Sequence, residues 1–317
     1  MTTRTIFAGT LALLLPFTFA GCDSPNTAAE QGSETTATPE PATEPAPAQT
    51  SEPTVMAYGR FVPEREDDFA WENDKVAFRI YGPNSSGKGQ VSGIDAWLKR
   101  VPHSVIDKWY AGHQEGVSYH EDHGEGYDPY HVGDSRGVGG TVVWIDGTPW
   151  PAGKFNRYEV HQDSGEKVEF TVHYEWETPL GMVAESKTIT LALGDQLYRV
   201  QSAFTLDGEP ASLPIAIGLT THDGKAQAEG NRDTGRISTA ETIDGHQLWT
   251  GALMAPGRTQ EIVHAPSEEK DASHIWLLTA TTDDGELTFR AGFAWDAAGD
   301  MASFEQWNEY LDSRAGE

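Results

Sequence analysis

The chain has 317 residues, and its 22 Lys and Arg against 49 Asp and Glu give a formal net charge of -27. Such a surface repels polyanions and its basic residues are scattered, so nucleic-acid binding is excluded. Ten Trp, ten Tyr and twelve Phe are too many aromatics for a wholly disordered chain, and the lone Cys22 rules out an intramolecular disulfide, a thiolate-rich zinc site or a catalytic Cys/His pair.

Residues 1–21 carry Arg4, an apolar stretch from Ile6 to Ala20 and small residues before Cys22, the layout of a secretory signal peptide. Phe19-Ala20-Gly21-Cys22 resembles the bacterial lipobox. That resemblance implies cleavage before Cys22, lipidation of its thiol and acylation of the new amine. The expected product is a lipoprotein of the bacterial cell envelope, facing the periplasm or the cell surface and held to the lipid bilayer by acyl chains. Each buried methylene contributes about 0.8 kcal/mol to that anchoring. Residues 22–57 are rich in Ser, Thr, Ala, Glu and Pro, including PEPATEPAPAQTSEP, without apolar periodicity. They read as an extended tether, and residues 58–317 as one domain.

From Tyr58 onward alternating runs recur: VAFRIYG, GTVVWIDG, VEFTVHYEWE, KTITLALG, YRVQSAFTLDG, PIAIGLT, HIWLLTA and LTFRAGFAW. Their β-branched and aromatic residues at period two predict strands, and Asp-Gly at 146–147, 207–208, 223–224 and 284–285 predicts tight turns. Helical signals are few. Ile94 to Lys99 is expected to form a helical turn, and Ser303 to Arg314 a short amphipathic helix with Phe304, Trp307 and Leu311 on one face. The expected fold is mainly β, a large antiparallel β-sandwich with few short helices.

The segment YHEDHGEGYDPYHVGDSRGVGG, residues 119–140, has no counterpart elsewhere in the chain. It holds His120, His123 and His131, Asp122, Asp128 and Asp134, and Glu121 and Glu125, interleaved with Tyr127, Tyr130 and Arg136. Titratable groups on a Gly-rich loop suit an acid/base site, because a rigid scaffold can aim several loop side chains at one point. Expulsion of an oxygen leaving group beside a carboxylate needs a base, an acid and a cation, roles suited to His, Tyr and Arg. The spacing falls short of HExxH and does not match an EF-hand. If a cation is bound, Ca²⁺ on Asp122, Glu125, Asp128 or Asp134 is the expectation; otherwise no cofactor is required.

Two flanking segments supply candidate binding residues. In 60–83, Arg65, Asp68, Glu72, Asn73 and Arg79 alternate with aromatics including Trp71, the make-up of a sugar cleft or of a core strand with a charged outer face. In 93–110, Arg100, Trp109 and neighbouring Lys form a basic island that could receive an anionic substrate or pair with the acidic loop that follows. His120 and His222 complete the candidate binding set, while His161, His173, His246, His264 and His274 stand isolated and read as structural. No G-x-S-x-G elbow and no strand-linked G-x-G-x-x-G occurs, against serine hydrolase and nucleotide-binding readings.

DDFAWENDKVAFRIYGP, GIDAWLKRVPHSVIDKWY, the 119–140 segment and FAWDAAGDMASFEQWNEYL together resemble the family called domain of unknown function 4861. The resemblance implies a galactose-mutarotase-like β-sandwich that accompanies the degradation of uronic-acid polysaccharides. The leading expectation is an enzyme eliminating across C4 and C5 of a uronic acid, a lyase or dehydratase. His123 or His131 would serve as base, Tyr127 or Tyr130 as acid, and Arg136 with Arg65 or Arg79 as carboxylate partner. The alternatives are a surface glycan-binding lipoprotein without turnover and a sugar epimerase or mutarotase.

Overall fold

The computed structural model describes residues 54–85 and 92–316. The expected signal peptide, the lipidated Cys22 and the tether up to residue 53 lie outside the described residues. Among the described residues no helix is long and apolar enough to cross a membrane.

Antiparallel pairing builds three sheets. The largest runs Gln227–Asn231, Arg236–Ile243, His246–Leu253, Glu286–Trp295, Leu197–Leu206, Gly181–Ala192, Lys167–Thr178, Arg157–Gln162, with the short Glu209–Pro210 beside Leu197–Leu206. A second sheet orders Gly126–Tyr127, Ile94–Lys99, Ala77–Ile80, Asp68–Glu72, Ala57–Val62 and Ser164–Gly165. The third orders Glu261–Ala265, His274–Ala280, Pro214–Thr220, Val138–Ile145 and Thr148–Pro151. One parallel bridge, Ile94 to Gly137, ties the two smaller sheets together. The expected sandwich is therefore the observed fold, and each alternating run named above lies on a strand. Period two drives this: in Gly181–Ala192 the residues Val183, Glu185, Lys187, Ile189 and Leu191 turn inward while their neighbours stay nearer solvent.

All three sheets contribute to one apolar core. Phe69 stacks on Phe170 with centroids 3.9 Å apart, Trp71 meets Tyr198 edge-on at 5.8 Å, and Phe78 meets Phe293 at 5.2 Å, so aromatics of the second sheet interdigitate with those of the largest. Asp146-Gly147 and Asp207-Gly208 both take positive φ, the two-residue hairpin geometry expected of Asp-Gly.

The helices divide by where their caps come from. Helix α2, Phe304–Ser313, has a local cap: Ser303 Oγ accepts from Gln306 N at 3.1 Å, and Trp307 and Leu311 are buried, as expected from sequence. Helix α1, Ile106–Gln114, has no side-chain cap of its own. The buried Glu72 carboxylate, far away in sequence, accepts from Val105 N at 2.9 Å and Ile106 N at 3.0 Å, while Lys99 Nζ at 2.6 Å balances its charge. A cap supplied by another strand leaves no mark near the helix, which is why α1 escapes the sequence reading. The expected helical turn over Ile94 to Lys99 is instead a strand buried along its whole length, paired on both edges, so its lack of alternation reflects burial on both faces.

Candidate functional site

The site lies at one end of the largest sheet, where the hairpin of Arg236–Ile243 and His246–Leu253 turns. Asp244 and Gly245 hold φ of 49° and 86°, which sets the Asp244 carboxylate at the tip and His246 at the start of the returning strand. In the adjacent strand, Trp295 ends Glu286–Trp295 in register with Leu248, and Asp296 follows. The facing wall comes from the 119–134 loop as it rejoins the second sheet: Tyr127 pairs with Leu98, and Arg100 N donates to Glu125 O at 2.9 Å. Gly126 makes that junction at φ 116°, where an added Cβ would lie 2.0 Å from Leu98 O, so no other residue fits.

These walls enclose a cavity of about 370 Å³ lined by Arg100, His120, Tyr127, Asp244, His246 and Trp295, with Glu121 and Asp122 at the rim. Trp295 is its hub. The Arg100 guanidinium lies 4.7 Å from the Trp295 ring centre, the His246 ring 5.7 Å and the Tyr127 ring 6.1 Å. Arg100 also pairs with Asp122. Against the upward push of burial, the Gly124 amide, Arg100 and the Gly126 amide hold the Asp122 carboxyl below its usual range. Tyr127 Oη donates to Asp244 Oδ2 at 2.8 Å, and burial together with that carboxylate pushes the phenol up, so it stays protonated.

Two histidines face this cavity with defined tautomers. His120 Nδ1 is 2.8 Å from the Asp128 carbonyl oxygen, which can only accept, so Nδ1 carries the proton and Nε2 of the neutral ring is the base. His246 Nδ1 donates to Asp296 Oδ1 at 3.0 Å with the same consequence. The support beneath His120 is buried: Arg79 meets Asp95 at 2.5 Å and Asp128 at 3.1 Å, with Asp68 3.9 Å away. Burial and the neighbouring Asp95 raise the Asp128 carboxyl well above its ordinary range, and burial pushes Asp68 up to about 6.

The expected site residues are thus divided. Tyr127, Arg100 and His120 converge on the cavity. Arg65 is half-buried against Glu66 and Asp68, and Trp109 stacks on Trp97 at 5.5 Å. His123, exposed, donates from Nε2 to Ser118 O and lines a neighbouring cavity with Trp109. His131 bonds Asp271 at 2.8 Å, and His222 bonds Glu241 at 2.7 Å and the His131 carbonyl at 2.8 Å. Both His222 nitrogens therefore donate; burial pulls its pKa down, but Glu241 and that carbonyl outweigh it and the net shift is upward. Others fill structural places. Trp71 is fully buried, Asn73 ties Ala192 O and Asp195 O to its own turn, and Glu72 caps α1.

Tyr130 and Arg136 do not face the cavity. The Tyr130 hydroxyl is buried in the core without a hydrogen-bond partner. Arg136 is buried with Ser92 Oγ at 3.1 Å and Asp134 O at 2.7 Å, and desolvation lowers it to about 10. Its side-chain partners are not those of Arg79, so the expected arginine pair is not assembled. Nor is the expected calcium cage. Asp122 faces Arg100, Glu125 faces Lys108 at 2.8 Å and His103 at 3.0 Å, Asp128 faces Arg79, and Asp134 lies on the far arm of the loop. Among the described residues no three His, Cys, Asp or Glu side chains are grouped to hold a metal ion, so the acidic residues do not fit that role.

Asp244, His246, Trp295 and Asp296 were missed by the sequence reading. The available signal was a further Asp-Gly turn at 244–245, followed at once by His246.

A curated relative, uncharacterized protein P7 of Formosa agariphila, is 36% identical over 270 residues, covering 81% of this chain and 67% of its own. Among solved structures, a 4-alpha-glucanotransferase from Thermococcus litoralis aligns at 12% identity and a TM-score of 0.32, over 77% of this chain, which spans 42% of that structure's length. A family model described as a domain of unknown function, DUF4861, matches residues 23–317, and the chain belongs to that family.

Proposed function

We propose that this groove binds a uronic-acid-containing oligosaccharide and acts on it by elimination, leaving a 4,5-unsaturated uronic acid. The observation that carries the reading is a guanidinium over Trp295 beside two imidazoles whose Nδ1 is engaged by Asp128 O and Asp296 Oδ1, which makes Nε2 the basic nitrogen of each neutral ring, and a phenol held protonated. Arg100 would pair with the substrate carboxylate and so acidify the adjacent C5–H, His120 or His246 would take that proton through Nε2, and Tyr127 would protonate the departing C4 oxygen. The C5–H electron pair becomes the C4=C5 bond as the C4–O bond breaks, so charge and atoms balance without an oxidant or a metal. The mixed polar lining also suits the hydroxyls of a sugar ring.

The test is incubation of the full-length protein with uronic-acid oligosaccharides, followed by the ultraviolet absorbance of the conjugated double bond and by mass spectrometry. Turnover lost in His120→Ala supports elimination. Saturable binding without turnover moves the protein to a glycan-binding lipoprotein, and C5 inversion without a double bond to an epimerase. We also propose, from the resemblance of residues 19–22 to a lipobox, that Cys22 anchors the domain in the cell envelope; Cys22→Ser should then release it from the membrane fraction.

A further inference from the structure

The central cavity adjoins two others. On one side it shares Glu121 with a cavity of about 370 Å³ floored by Trp109, Gly112, Val117 and Tyr119, with Lys108 and His123 also in its lining. It shares Asp244 with another of about 370 Å³ lined by His131, His222, Lys225, Glu241 and Thr242. The outer two have no lining residue in common, so the central cavity lies between them, and one loop contributes to each, through Tyr119, Tyr127 and Pro129. Each lies near the small end of the range for ligand sites, roughly 300–1,000 Å³, room for a sugar unit rather than a chain. Their chemistry differs. The Trp109 side is largely apolar and carries the exposed Val117, 48% accessible, whereas the Lys225 side offers a cation and several hydrogen-bonding groups.

We propose that the groove is a three-lobed trough that engages an internal unit of a chain at least three sugars long. This rests on the elimination reading of the central lobe. A site that removes water from a chain end needs one lobe beside the reactive groups; here lobes adjoin both. The leaving group at C4 is then a glycosyl oxygen, which takes its proton from Tyr127, and the products are two shorter oligosaccharides whose masses sum to that of the substrate. Contacts in the outer lobes supply binding energy remote from the reacting carbon, which raises kcat/KM for longer chains.

The experiment uses the full-length protein and 4-linked hexuronic-acid oligomers of two to five units, with rates by absorbance, products by mass spectrometry and affinities by calorimetry. Adding the third unit should raise kcat/KM about tenfold, the yield of one stacked ring, with internal cleavage. Val117→Glu and Lys225→Glu should erase that advantage by raising KM on the longer chains. Products lighter than substrate by one water, or kcat/KM and affinity both independent of length, would overturn the proposal. Arg100→Gln separates the two claims. Activity lost in Arg100→Gln with no length dependence overturns the trough alone, and an inactive wild type with affinity indifferent to Arg100→Gln overturns the elimination reading and the trough with it.

Discussion

The two arms of the 119–136 loop resemble each other in sequence and differ in what they do. Each has at least one histidine, one tyrosine, one acid and one glycine. On the first arm His120 is exposed on a backbone carbonyl, and Tyr127 reaches Asp244 at the groove wall. On the second arm Tyr130 and Arg136 turn into the core, and His131 fastens the loop to Asp271. Residue type announces the capacity for acid/base chemistry. Burial decides how that capacity is spent for Tyr130 and Arg136, because a desolvated group with no path to solvent cannot exchange protons with a ligand. His131, as exposed as His120, is instead committed by its bond to Asp271.

The largest expected effect would break or sharpen that contrast directly. His120→Ala should lower kcat on uronic oligosaccharides by about 10²–10⁴, while His131→Ala, at the lining of an outer lobe, changes kcat less than about threefold; equal losses of kcat would show that both arms serve the chemistry. Next come two arginines, one on the groove and one beneath it. Arg79→Met leaves Asp95 and Asp128 buried without their cation and should cost about 3–5 kcal/mol of unfolding free energy by denaturant titration. Arg100→Gln gives up the pair with Asp122 and the contact with the Trp295 ring, which should cost about 1 kcal/mol, less than Arg79→Met, yet it should lose activity.

A subtler contrast lies between the tyrosines. Tyr127→Phe should reduce turnover about a hundredfold. Tyr130→Phe removes a buried, unpartnered hydroxyl and should be neutral or stabilising by about 1 kcal/mol, with activity retained; a loss of turnover there would place the second arm in the site. The smallest effect is in pH dependence. The His222 pKa is raised in the folded state, so its contribution to stability is fully present below the unfolded value near 6.5 and fades as pH rises through the folded one. His222→Gln should flatten that decline in denaturation midpoints, and an unchanged profile would remove His222–Glu241 as the clasp of the second arm.

The strands were legible because inward and outward residues alternate along a pleat whatever the sheet order, and Asp-Gly marks its own turn through the positive φ it tolerates. Helix α2 was legible through Ser303, a cap beside the residues it caps. Helix α1 was not, because its cap is Glu72 on another strand. The 119–140 loop declared itself by density, yet three of the residues that complete its cavity, Asp244, His246 and Trp295, follow it by more than a hundred positions.

The sequence by itself determined a β-rich domain, its turns, its acidic character and a loop equipped for proton transfer, since all of these are written in local spacing and residue chemistry. Only the tertiary structure decided which histidines turn a basic Nε2 toward the groove, which arginine lies over the Trp295 ring and which acids are consumed as partners for buried cations. Those properties depend on desolvation and on distances between residues remote in the chain, quantities that no local pattern encodes.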